Sequence, residues 1–107
     1  MTDNELPPIV QRTAEQYPQV WDAYNNLGQA LGEAGPLDAK TERLVKLAIA
    51  VGANLEGAVR AHTRRGLAAK LTREEMQHVA LLGITTVGWP TSLAGLSWVV
   101  DELDKRE

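Results

Sequence analysis

The side chains whose ordinary titration range spans neutral pH are His62 and His78. Each residue of a helix advances by about 100°. That rotation puts Leu55, Ala58, Val59, His62 and Gly66 on one face, with His62 about 20° from the direction of Leu55. An imidazole in the middle of an apolar stripe has two readings. It is either a buried ring hydrogen-bonded to a backbone carbonyl or a proton donor and acceptor in a dry pocket, and spacing leaves both open. His78 falls on the far side of its helix from Met76, Val79 and Gly83 and reads as solvent-facing. Arg43 lies at the border of an apolar arc beside Leu47 and Ala50, where a guanidinium must snorkel, pair with an acid or bind an anion. Arg65 sits on the flank of the His62 stripe, about 80° away, within reach of a pocket mouth. Arg60 and Arg64 point the opposite way and are expected in water. Glu42, four residues before Lys46, reads as half of a surface ion pair.

Other chemistries are closed off. The chain has 107 residues and no cysteine, which removes disulfides, thiolate metal sites, Cys nucleophiles and thiol redox chemistry. No His, Asp and Glu set has metal-ligand spacing, and no Ser-His-acid arrangement is visible. No metal or cofactor is expected. The run Arg60, Arg64, Arg65, Lys70, Arg73 lacks interleaved aromatics and has Glu56, Glu74 and Glu75 as neighbours. It therefore reads as a solvated face, and a net charge of −3 gives no general attraction to nucleic acid or anionic membranes.

These residues need helices to position them. Period-3.6 patterning dominates and no alternating strand is evident, so the chain is predicted to be all-α, a single domain over 1–107. Six helices are expected. Pro8 starts the first, to Tyr17, and Pro18 the second, whose stripe Val20, Tyr24, Leu27, Leu31 ends at Gly32. Asp38 caps the third, to Gly52, whose wide apolar arc marks it as central and largely buried. The fourth covers Asn54 to Lys70. Thr72 and Glu75 form a capping box opening the fifth, to Val87, and Pro90 opens the sixth, to Leu103. Gly28 and Gly32 are spaced for close helix packing. From Val79 to Val100 there is no charged residue, a membrane-spanning length of 22 residues. Gly83, Gly88, Pro90 and the hydroxyls of Thr85, Thr86, Thr91 and Ser92 argue instead for two buried helices. So much uncharged surface on a small domain points to an oligomer interface. The start, with acidic residues and prolines, lacks the basic region and apolar core of a signal peptide, so a cytoplasmic location is expected.

The order of segments carries a resemblance. Leu37-Asp-Ala-Lys-Thr-Glu-Arg-Leu-Val-Lys-Leu-Ala-Ile-Ala-Val-Gly52, then Arg60-Ala-His62-Thr-Arg-Arg-Gly-Leu67, Leu71-Thr-Arg-Glu-Glu-Met76 and Gly88-Trp-Pro90 resemble the carboxymuconolactone decarboxylase family, whose superfamily includes the alkylhydroperoxidase D-type proteins. The resemblance covers roughly 37–100 and leaves 1–36 as an N-terminal helical extension. It implies an alkylhydroperoxidase D-like helical fold that assembles as a homotrimer or homohexamer. Redox members carry a glutamate, eleven residues, a cysteine, two residues, a cysteine, three residues and a histidine. Anchored on His62, that pattern puts Leu55 and Ala58 at the cysteine positions and Arg43 at the glutamate position. Thiol peroxidase chemistry has no thiol to use here.

The decarboxylase branch needs neither cysteine nor cofactor. The resemblance implies a lyase acting on a small carboxylated lactone or related acid, or a relative that binds such a molecule without turning it over. In that reading Arg43 and Arg65 hold carboxylates, Thr85 or Thr86 donates to the developing enolate oxygen, and His62 supplies the proton. Two helices joined by a short turn near Asn54 are expected to pack antiparallel and bring His62 and Arg43 to one cavity. A buried imidazole beside a guanidinium stays neutral until an anion arrives.

Overall fold

The computed structural model describes residues 6–106. Seven helical segments are present among them: α1 (Pro8–Gln16), α2 (Pro18–Glu33), α3 (Ala39–Gly52), α4 (Glu56–Ala68), α5 (Arg73–Leu82), α6 (Ile84–Val87) and α7 (Trp89–Arg106). The expected fifth helix is divided at Gly83, so one predicted element becomes α5 plus the single turn α6. The break is local: the Gly83 amide donates to the Ala80 carbonyl, three residues back, at 3.2 Å, and the missing side chain lets this turn pack on α7, where a Cβ would meet Ser92 Oγ at 2.5 Å.

Local chemistry sets the ends. Asp38 accepts a hydrogen bond from the Thr41 amide at 2.8 Å and starts α3. At α5 the Glu75 amide donates to Thr72 Oγ1 and the Thr72 amide donates to the Glu75 carboxylate, a complete capping box. Asn54 and Lys70 take up left-handed backbone after α3 and α4, with φ of 57° and 67°. Gly88, at φ 97°, reverses the chain before α7.

The core is built by α3, α4, α5 and α7. Leu47, Ala50 and Val51 of α3 pack with Val59 of α4, Leu71, Met76 and Ala80, and Val99 and Leu103 of α7. Gly66 and Gly95 permit this closeness: a Cβ at Gly66 would lie 2.8 Å from Met76 Sδ, and one at Gly95 2.7 Å from Val51 Cγ1. The α1–α2 hairpin is different, because neither helix buries a residue. The stripe of α2 is open within the chain, with Val20 62% exposed. Gly28, read as a packing contact, has nothing within 4 Å of where its Cβ would stand. The arc of α3 is also only half used: Ile49 is 64% exposed. One core covers one side of α3, and the arc is wider than that side. The uncharged 79–100 segment likewise leaves Leu82 and Trp89 exposed. No helix among the described residues is long and apolar enough to cross a membrane, because Gly83 and Gly88 interrupt that segment.

Candidate functional site

A cleft of about 630 Å³ opens between the α1–α2 hairpin and the α3–α4 pair. From α3 it receives Arg43 and Lys46, three residues apart and hence on one face. From α4 it receives His62, Arg64 and Arg65. Its outer wall comes from α2, where Trp21 and Tyr24 stack with ring centroids 5.9 Å apart and Gly28 leaves room beside them. The structure thus brings His62, Arg43 and Arg65 together and adds two cations. Lys46 makes no ion pair with Glu42 and faces the cleft instead, while the Glu42 carboxylate lies under α2, 3.4 Å from the Cβ position of Gly32. His78 is exposed on α5, away from the cleft.

Thr85 and Thr86 are not part of this site. Both sit on α6, and Thr86 lines a separate cleft with Ala48, Gly52 and Val87 at the C-terminal end of α3. The expected helix from Thr72 to Val87 ends at Gly83, which leaves both threonines on the separate turn α6.

Arg64 overturns its expectation most sharply. Expected in water, it is only 4% exposed. α4 is wedged between α3 and α7, so it is covered on more than one side and Thr63 and Arg64 are buried along with Val59. Arg64 makes no hydrogen bond or ion pair among the described residues. The nearest buried acid, Glu102, is already committed: it accepts from Arg60 at 3.1 Å and from Arg106 at 3.2 Å, and Lys105 approaches to 3.5 Å. Burial, then Arg106 and Arg65, push the pKa of Arg64 down, with Glu102 opposing them. Arg60 contrasts with it. Burial would lower its pKa, but bonds to Asp101, Glu56 and Glu102 outweigh that and raise it.

His62 shares this electropositive setting. Burial first, and then Arg65, Arg43, Lys46 and Arg64, bring its pKa down to about 4. Its Nδ1 is buried without a hydrogen-bond partner, so the reading of a ring tied to a backbone carbonyl through that atom does not hold. The ring is neutral at pH 7. Four cations and an aromatic wall surround this neutral imidazole, and a negative charge placed among them would raise the proton affinity of His62. No group of three His, Asp or Glu side chains that could hold a metal occurs among the described residues.

The sequence profile of the carboxymuconolactone decarboxylase family matches residues 18–101. The chain belongs to the carboxymuconolactone decarboxylase family. The matched stretch includes α2, so the helix that walls the cleft is part of the family's unit. Solved structures share the fold. A carboxymuconolactone decarboxylase family protein from Legionella pneumophila, crystallised in its apo form, is similar with a TM-score of 0.73 at 23% identity, over 90% of this chain and 85% of that one. A candidate carboxymuconolactone decarboxylase from Burkholderia xenovorans LB400 is similar with a TM-score of 0.66 at 23% identity, over 96% of this chain and 85% of that one. A Haemophilus influenzae protein of uncharacterised function is 46% identical over 48 residues, 45% of this chain and 42% of its own length. The chain therefore matches less than half of that relative.

Proposed function

We propose that this member of the carboxymuconolactone decarboxylase family binds a small carboxylated lactone or related acid in the cationic cleft and acts on it as a cofactor-free lyase. The observation that supports this reading best is the convergence of a neutral, unpartnered His62 with Arg43, Lys46, Arg64 and Arg65 on one cavity. The guanidinium groups hold the substrate carboxylates. The bond between the departing carboxylate and its carbon breaks, carbon dioxide leaves, and the electron pair moves into the conjugated lactone carbonyl. Lys46 and Arg43 stabilise the resulting enolate oxygen in place of Thr85 or Thr86, which do not line the cleft. His62, protonated from solvent once the bound anion has offset the surrounding cations, delivers its proton to carbon. A homotrimer or homohexamer covers the open faces of α3, α5 and α7.

One observation favours a second reading, a binder without turnover. No acid among the described residues is hydrogen-bonded to His62 Nδ1 to fix its tautomer and direction. Mixing the protein with a carboxylated muconolactone and following carbon dioxide release separates the two. The lyase reading predicts turnover that His62→Gln abolishes while binding survives, and Arg43→Ala weakens binding about tenfold. Binding without carbon dioxide release supports the binder, and no binding at all removes both.

A further inference from the structure

A second cleft of about 550 Å³ adjoins the cationic one beneath the α1–α2 hairpin. Ile9, Val10, Val20 and Ala61 give it an apolar lining, and Trp21, Tyr24, Arg64 and Arg65 line both clefts. The two spaces therefore meet along the stacked aromatic pair, with buried, unpartnered Arg64 at the junction. An apolar chamber of this size falls in the usual range for small-molecule sites of about 300–1,000 Å³. A carboxylated lactone is polar throughout and leaves it unfilled.

We propose that the preferred ligand is an amphipathic acid, whose carboxylate pairs with Arg64 and whose apolar chain lies in the groove between α1–α2 and α4. This rests on the cationic cleft being an acid site and adds the class of acid. Arg64 is the anchor because it is buried, lines both clefts and makes no hydrogen bond or ion pair among the described residues, while Glu102, which offsets it only at a distance, is engaged by Arg60, Lys105 and Arg106. An arriving carboxylate supplies the missing counter-charge. The chain beyond it continues along apolar surface, where each buried methylene strengthens binding about three- to fourfold.

Calorimetric titration with straight-chain alkanoates from butanoate to octanoate, with 1-octanol and a carboxylated muconolactone as references, tests this. Affinity is expected to rise about threefold per methylene, and octanoate to bind at least tenfold tighter than octanol. Gly57 lines the apolar groove with nothing within 4 Å of its Cβ position, so Gly57→Leu fills the groove and flattens the series at its long end. Arg64→Met keeps the side-chain volume and removes the difference between octanoate and octanol. A flat wild-type series with the lactone still bound overturns the tail site and leaves the acid site standing. Octanol binding as tightly as octanoate overturns Arg64 as anchor. If neither alkanoates nor the lactone bind, the cationic cleft is no acid site and both readings fall. The wild-type series decides these outcomes even if a variant does not fold.

Discussion

At the scale of single residues, His62 governs how the protein responds to acid. Its folded pKa is down to about 4 against an ordinary 6.5, held there by burial and then by Arg65, Arg43, Lys46 and Arg64. Between those values the unfolded chain binds a proton that the folded chain refuses, so stability is full above about 6.5 and is lost as pH falls towards 4. The ring is partly exposed, so solvent screening reduces the effect to about 2 kcal/mol. The Tm of the wild type should fall between pH 7 and 5, and His62→Gln should flatten that fall. Hydrogen bonds or ion pairs lower the pKa values of Asp38, Glu75, Asp101 and Glu102, so their stabilisation persists to still lower pH. An unchanged slope in His62→Gln would move the acid sensitivity to another group. A second consequence follows from Leu55 and Ala58 standing where redox relatives have cysteine. No dithiol-linked peroxide turnover above the no-enzyme rate is expected, and a standard coupled peroxidase assay checks it.

Elements differ in how tightly their glycines are held. At Gly95 a Cβ would strike Val51, so Gly95→Ala should lower stability by about 1–3 kcal/mol in urea unfolding. Gly28 sits inside α2 with open space around it, so Gly28→Ala should raise stability by about 0.5–1 kcal/mol through helix propensity. Opposite signs from the same substitution would separate a packed element from one that borders a cleft. The same contrast explains what could be read from sequence. Caps and periods are local chemistry, and Asp38, Thr72 and Glu75 act as their types dictate. The α4 face with Val59, His62 and Gly66 is legible from its stripe, but Leu55, which begins that stripe, is the N-cap before α4 and is 54% exposed. Arg64 is not legible, because a helical wheel assigns one buried side while α4 is packed between α3 and α7. Thr85 and Thr86 stand elsewhere than expected because the helix ends at Gly83, whose missing side chain lets it pack against Ser92, a boundary that periodicity does not mark. Tyr24 reads as part of the apolar stripe of α2, and only the open α1–α2 hairpin turns it, with Trp21 stacked beside it, into a cleft wall.

The whole molecule leaves Ile49, Leu82 and Trp89 exposed on helices that already hold the core. We expect a second copy to cover them. Light scattering should give three or six times the 11.7 kDa chain mass, and Leu82→Arg should shift it towards the monomer without unfolding the chain. A wild-type mass of a single chain would contradict the assembly.

The central claim is that acids enter a cationic cleft beside a neutral His62. Proton NMR of the imidazole rings measures this directly. The chain has two histidines, so His62→Gln assigns the signals. In the free protein the His62 ring should titrate at about 4. With saturating carboxylated muconolactone or octanoate its pKa should rise by about one unit or more as the bound carboxylate offsets the cations. A free-protein value at the ordinary 6.5, or one that acid does not move, would contradict the account.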